Sequence, residues 1–184
     1  MSDHTNPFAE YQPHLAERRT SVDAALREAS AEDLTALAAV QVRVRGGEER
    51  EWVTRLAKAL DSERGTVVLC QVDGVVAGYA NVAFLPEHPV DRAPGGYYLT
   101  GVTVDHPWRR QGLGRLLTQW RMGWAWERAR DIWCFVSTEN RASLDLHSAL
   151  GFTPVRTGGS FQGVSFTAGE GILMGAHRSP APPA

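Results

Sequence analysis

Two apolar runs meet across the dipeptide Asp73-Gly74, and this junction constrains the fold more than any other feature of the sequence. The runs cover residues 66–72 and 75–82 and are rich in valine, which favours β-strands. An Asp-Gly pair between such runs is typical of a two-residue hairpin turn, because both positions of that turn need a positive φ. Part of the fold is therefore predicted to be antiparallel sheet.

Elsewhere the apolar residues switch between a spacing of two and a helical spacing, which indicates a mixed α/β domain. The pattern before the hairpin predicts a short strand on Val22, Ala24 and Leu26, a helix that starts near Ser30, and an amphipathic helix from Trp52 to Leu60. After the hairpin it predicts, in order, a strand over 97–104, a helix over 112–129, a strand over 132–137, a helix over 141–150, and two final strands within 152–174.

The length of 184 residues suits one domain. Residues 1–19 are polar and carry two prolines, so we predict a flexible arm there. Residues 20–176 hold the predicted domain. Residues 177–184 end in a proline-rich run that cannot continue a helix or a sheet, so we predict a disordered tail.

The charge balance argues against functions that depend on binding a highly negative partner. Twenty-one acidic side chains against nineteen Lys and Arg give a net charge of −2, so we expect neither nucleic acid nor a membrane surface as a partner. The first residues are too polar for a signal peptide, and we expect a cytoplasmic protein. Cys70 and Cys134 lie in apolar runs, which predicts buried, reduced thiols and argues against a disulfide framework or a metal site.

The segment from Val102 to Leu117 is the most informative for function. A β-branched strand runs through a turn that contains Pro107 and then into a helix, with Gly112 and Gly114 at the corner. Amides at a helix N-terminus carry partial positive charge, and glycine lets an anion approach them closely. The glycines could equally serve a tight turn alone, with the neighbouring arginines facing solvent. The corner lacks the third glycine of a dinucleotide fingerprint, and the chain has no P-loop motif.

A second segment, residues 140–152, adds a row of polar residues. Asn140, Ser143 and His147 fall on one side of the predicted helix. Asn140 is also a favourable helix N-cap, and a histidine in this position is often an ordinary surface residue. The row therefore either faces solvent or lines a site. Gly151 explains why the helix ends there.

These two segments together resemble the GNAT acetyltransferase superfamily. Residues 109–114 match its signature Arg/Gln-x-x-Gly-x-Gly/Ala, and residues 140–152 resemble its second signature, Asn-x-x-Ala/Ser-x-x-Leu-Tyr/His-x-x-Leu-Gly-Phe. The resemblance implies an α/β (α+β) fold with a mixed, mostly antiparallel sheet of six to seven strands, splayed in the middle and flanked by about four helices. It also implies that acetyl-CoA lies in the splayed cleft.

The resemblance further implies a set of cofactor-binding residues. The corner would hold the pyrophosphate, the strand before it would pair with pantetheine, and the polar row would reach the pantetheine arm. The residues so implied are Val102, Thr103, Val104, Arg109, Arg110, Gln111, Gly112, Leu113, Gly114, Arg115, Asn140 and Ser143. His147 takes the position that usually carries a tyrosine able to protonate the departing thiolate, and it is the predicted catalytic residue.

The acceptor and the general base are less well defined by the sequence. Glu139, Glu170 and Asp105 are open candidates for the base, directly or through water. Acidic and aromatic loop residues favour a cationic amine acceptor, such as an aminoglycoside or polyamine, with Tyr98 and Glu170 as predicted substrate contacts. Protein N-termini or lysines and amino-acid-like metabolites are alternative acceptors.

Two rival functions also follow from the sequence. One is a domain that binds acyl-CoA without turnover, and the other is a mononucleotide site at the corner. A homodimer is compatible with the tryptophan content, although packing is the more common use of such residues.

Overall fold

A computed structural model describes residues 22–167 and 169–178. The elements, in chain order, are β1 (Ala25–Glu28), α1 (Leu34–Arg45), α2 (Glu49–Leu60), β2 (Gly65–Val72), β3 (Val75–Leu85), β4 (Gly96–Val104), α3 (Leu113–Trp126), β5 (Asp131–Ser137), α4 (Arg141–Ala149), β6 (Thr153–Gly158), β7 (Ser160–Phe161), β8 (Val164–Ser165) and β9 (Gly171–His177). Short 3-10 turns precede α1 and α3, at Ala31–Asp33 and His106–Trp108.

Seven strands form one sheet in the order β1-β2-β3-β4-β5-β9-β6. Every neighbouring pair is antiparallel except β4 and β5, which are parallel because α3 connects them as a crossover. The predicted mixed, mostly antiparallel sheet and the number of helices are confirmed. None of the helices in the described ranges is long and apolar enough to cross a membrane.

The hairpin at Asp73-Gly74 forms as predicted. Val72 pairs with Val75, so the turn has two residues. Asp73 and Gly74 both have positive φ, 50° and 76°, which is the backbone of a type I′ turn.

The sheet opens between β4 and β5. Their pairing is limited to Tyr97 with Ile132 and Tyr98 with Trp133. Farther along, β4 carries an irregularity against β3 at Ala80 and Asn81, and Gly101 lies there with a φ of 48°. A bulge bends and twists its strand, so β4 turns away from β5 and a cleft opens between the two.

Helices cover both faces of the sheet. On one face α1 and α2 bury Leu37 and Leu56 against β2 and β3. On the other face Leu113 and Leu117 of α3 pack against Val68 and Cys70. The contacts of Leu56 confirm the amphipathic helix predicted over Trp52 to Leu60, and α1 and α3 also bury an apolar face. Both cysteines are free and buried, as expected, and burial raises the pKa of Cys134 to about 12.

Several boundaries differ from the predicted ones: α2 begins at Glu49 and not at Trp52, and α3 covers Leu113–Trp126 and not 112–129. β1 begins at Ala25, although Val22, Ala24 and Leu26 do pack together on one core cluster. The last region holds β6 and β9 as predicted, and also the small antiparallel pair of β7 and β8. The predicted arm, 1–19, and residues 179–184 of the predicted tail lie outside the described residues, while His177 is the last residue of β9.

Candidate functional site

A cleft of about 690 Å³ lies between the separated ends of β4 and β5, beneath the N-terminus of α3 and one side of α4. It brings together residues that are far apart in the sequence. The predicted site residues that line it are Val102, Thr103, Val104, Arg109, Arg110, Gly112, Leu113, Gly114, Arg115, Asn140, Ser143 and His147.

Three predicted site residues do not line the cleft. The side chain of Gln111 donates from its Nε2 to the Pro107 carbonyl at 2.9 Å. Tyr98 is fully buried, and its hydroxyl donates to the Pro94 carbonyl at 2.6 Å. Glu170 is exposed, and its carbonyl accepts from the Thr138 N–H at 3.2 Å. Neither predicted substrate contact therefore reaches this cavity.

The corner before α3 exposes main-chain N–H groups that can donate hydrogen bonds to a ligand. Gly112 is the N-cap in a left-handed conformation, φ 85°, and the helix starts at Leu113. Within the described part of the chain, no acceptor takes the N–H groups of Gly112, Leu113 and Gly114. Open amides at a helix start form a site for an anion such as a diphosphate.

Gly114 keeps the floor of this corner clear. Among the residues that the structure describes, and apart from its own helix, a Cβ built there would have one neighbour within 4 Å, Leu146 Cδ2 at 3.9 Å. The missing side chain is therefore not required by packing inside the protein. The space that it leaves belongs to the cleft, where a ligand would approach the backbone.

Asp105 holds the turn that leads into the corner. Its carboxylate accepts from the His106 N–H at 2.8 Å and from Arg43 Nε at 2.7 Å. The carboxylate is nearly buried by these contacts. Such a saturated group is a structural anchor, and neither Asp105 nor the other two base candidates, Glu139 and Glu170, lines the cleft.

His147 occupies the inner wall of the cleft and is almost completely buried. Its Nδ1 lies 2.8 Å from the Ser143 carbonyl oxygen. A carbonyl can only accept, so Nδ1 carries the proton and the neutral ring leaves Nε2 with a lone pair. Nε2 is buried and has no hydrogen-bond partner among the described residues. Burial lowers the pKa of His147 to about 4, so the ring is neutral near pH 7.

The lowered pKa predicts a pH dependence of stability that depends on this one side chain. Between pH 6.5 and about 4 the unfolded chain binds a proton at residue 147 that the folded chain does not, so folding weakens as the pH falls. The full effect is roughly 3 kcal/mol of unfolding free energy. Chemical denaturation of wild type and His147→Phe at pH 7 and pH 4 should show a steeper loss in the wild type. Equal losses would mean that the ring is protonated in the folded protein.

The sequence analysis missed Arg121, which lines the cleft from α3. It is 1% exposed, and its guanidinium donates to the carbonyls of Asn81, Thr100 and Gly101 at 3.2 Å each. These bonds join α3 to the bulged part of β3 and β4. The signal was present, because Arg121 continues the buried stripe of Leu113 and Leu117 at a spacing of four.

The sheet parts between two parallel strands, and the open amides of a helix start lie at the mouth of the gap, so the gap can hold an elongated ligand with an anionic end. The sequence model of the acetyltransferase (GNAT) family matches residues 23–152. The chain therefore belongs to the GNAT acetyltransferase family, whose members use acetyl-CoA.

Solved structures give the same fold. The chain is 22% identical to an acetyltransferase of the GNAT family from Streptococcus pneumoniae, with 85% of this chain and all of that chain covered and a TM-score of 0.64. It is 21% identical to the ribosomal-protein-S18-alanine N-acetyltransferase from Escherichia coli, with 87% and 97% covered and a TM-score of 0.66. It is 20% identical to the yncA protein of Salmonella typhimurium, solved with its cofactor acetyl-CoA, with 88% and 99% covered and a TM-score of 0.63. No curated protein sequence matches the chain significantly.

Proposed function

We propose that this protein transfers an acetyl group from acetyl-CoA directly to a primary amine of a small molecule. One observation carries the proposal: the cleft that begins at the open amides of Gly112 to Gly114 continues along β4 to His147. At Gly101 and Thr103 it borders a second pocket on the other side of β4. An acceptor in the second pocket would therefore lie next to a carrier in the cleft, and transfer between two molecules requires such proximity.

The residues of the cleft fit acetyl-CoA. The corner offers main-chain donors for the diphosphate, with Arg109, Arg110 and Arg115 around them. Beyond Tyr98, no strand of the described ranges pairs with β4 on the side of β5, so Val102 to Val104 can pair with the extended pantetheine arm. When bound, acetyl-CoA supplies an acetyl group activated as a thioester.

Asn140 and Ser143 face the same arm from α4. The Asn140 Oδ1 accepts from the Ser143 N–H at 3.2 Å as an N-cap, so the NH₂ group of its side chain is directed elsewhere and can donate to a ligand carbonyl. Both residues line the cleft. We propose that they position pantetheine relative to His147.

We propose His147 as the residue that moves the proton. Transfer to a neutral amine makes a C–N bond and breaks the C–S bond, so one proton must leave the nitrogen and one must reach the sulfur. The neutral ring has its free lone pair on Nε2, which can take the proton from nitrogen and then deliver it to sulfur. This role differs from that of a resident acid, because at neutral pH the free protein holds no proton on Nε2.

The first deprotonation, from the ammonium form of the acceptor in solution, then needs a separate base. The three carboxylates considered from the sequence lie outside the cleft lining. We propose that solvent water performs this step before the amine is bound.

The test is release of free thiol from acetyl-CoA in the presence of a broad panel of small primary amines, with mass spectrometry of the acetylated product. We expect release with at least one small amine. Release only with protein N-termini or lysines would replace the small-molecule acceptor by a protein acceptor. Saturable binding of acetyl-CoA without release in any mixture would support an acyl-CoA sensor instead.

A further inference from the structure

The second pocket, about 380 Å³ in volume, lies between α1, α2 and the strands β3 and β4. It shares Arg45, Gly101 and Thr103 with the cleft. Gly101 lies on the bulge of β4, and a Cβ built there would meet no atom of the described residues within 4 Å. The two cavities therefore approach each other at a point that the glycine leaves open.

Two arginine side chains line this pocket: Arg45 at the end of α1 and Arg55 on α2. The ring of Trp52 holds Arg55 at the pocket, with 4.8 Å between the guanidinium carbon and the ring centroid. The ring is itself fixed by a hydrogen bond from Trp52 Nε1 to the Gly46 carbonyl at 2.8 Å. A cationic side chain that is already held in position loses less conformational entropy when it binds a ligand than a mobile one does.

Within the described ranges, no carboxylate lines the second pocket. Glu51 lies one turn from Arg55, but the separation is 3.9 Å and both side chains are about two-thirds exposed. Such an exposed pair contributes little. The charge that the pocket presents to a ligand is therefore positive.

The inner part of the pocket offers a hydrogen-bond acceptor. The side-chain oxygen of Asn81 is buried and has no hydrogen-bond partner among the described residues. An unsatisfied buried oxygen is costly, and here it lies in the pocket wall next to the bulge at Gly101. An amine N–H is a group that would satisfy it.

We propose that the acceptor is an amino-acid-like molecule, with a carboxylate held by Arg45 and Arg55 and its amine placed beside Asn81 and Gly101. This inference rests on the proposed function and specifies that the acceptor carries a negatively charged group. It replaces the cationic acceptor that the loop composition favoured. None of the acidic loop residues behind that expectation, Glu87, Asp91 and Glu170, lines the second pocket, and Asp91 accepts from the Gly163 N–H at 3.1 Å.

The experiment compares acceptors that differ only in the anionic group. Each α-amino acid in a panel is tested with its carboxamide and its decarboxylated amine, and thiol release from acetyl-CoA gives kcat and KM. We expect kcat/KM for the best amino acid to exceed that of its amide by about tenfold or more, because charged hydrogen bonds are lost. The variant Arg55→Gln should raise the KM for that amino acid about tenfold and leave the KM for its amide unchanged.

Arg50→Gln is the matched control, since Arg50 is an exposed arginine of α2 that does not line the pocket. Arg45→Gln should act like Arg55→Gln on the acceptor, and the KM for acetyl-CoA is measured alongside because Arg45 also borders the cleft. Equal rates for the three members of each set, or equal effects of Arg50→Gln and Arg55→Gln, would overturn this inference and leave the transferase intact. Failure of every amine to release thiol would overturn the proposed function as well.

Discussion

Replacing Gly114 with leucine is expected to raise the dissociation constant for acetyl-CoA at least about tenfold, through loss of contacts between the diphosphate and the amides of the corner. The new side chain would fill the space in the cleft over the start of α3. The protein itself should tolerate it, because the nearest atom to the added Cβ is 3.9 Å away. Binding is measured by titration calorimetry and folding by thermal denaturation.

Gly123→Leu provides the matched control for this variant. Gly123 lies in the same helix and is exposed, and outside its own helix no atom in the described part of the chain lies within 4 Å of a Cβ built there. Both substitutions replace glycine with a better helix former, so both should preserve or raise the melting temperature. Only Gly114→Leu should weaken binding. If the two variants bind acetyl-CoA equally well, the diphosphate does not lie on the amides before α3.

His147→Phe is expected to lower kcat about a hundredfold or more, with the dissociation constant for acetyl-CoA within a factor of about two. Phenylalanine keeps an aromatic ring against Phe152, whose ring centroid lies 5.2 Å from that of His147, but it has no lone pair. The loss should therefore appear in the chemical step, which single-turnover kinetics measures separately from product release.

The pH profile distinguishes a proton carrier from a packing residue. Because burial lowers the pKa of His147 to about 4 in the free protein, the wild-type kcat/KM for acetyl-CoA, which reports groups of the free enzyme, should show no inflection from this ring near pH 6.5. The contribution of this ring should be lost only as the pH approaches 4, where Nε2 becomes protonated before the amine can use it, while protonation of the acceptor in solution acts separately through the KM for the amine. The variant His147→Tyr, which introduces the residue that the resemblance implies for this position, should recover part of the turnover that His147→Phe loses. Undiminished turnover in His147→Phe would remove residue 147 from the mechanism.

Much of the fold followed from local patterns in the sequence. The Asp73-Gly74 turn needs two residues that accept a positive φ, and the flanking runs need only their own alternation, so the hairpin was predicted to the residue. The pair of β7 and β8 was missed because two-residue strands carry no measurable periodicity. The width of the β4–β5 opening depends on a bulge, which no spacing rule indicated.

Some residues of the site were likewise predicted from local sequence, and others were found only in the structure. The corner at Gly112 and the polar row of Asn140, Ser143 and His147 were predicted because each lies within one turn or one helix. Tyr98 was placed at the acceptor site on chemical type alone, and the structure buries it under its own hydrogen bond to Pro94. Arg45 and Arg55 went unnoticed because a surface arginine becomes a site residue only when another segment faces it.

The sequence by itself determined where an anion can meet open amides, since a glycine N-cap and the start of a helix are properties of consecutive residues. Tertiary structure alone decided the protonation of His147 and the charge facing the acceptor. A pKa depends on how much water packing removes from the ring, and the sign of a pocket depends on which side chains from α1, α2, β3 and β4 converge there. Both quantities arise from contacts between segments that are distant in the chain.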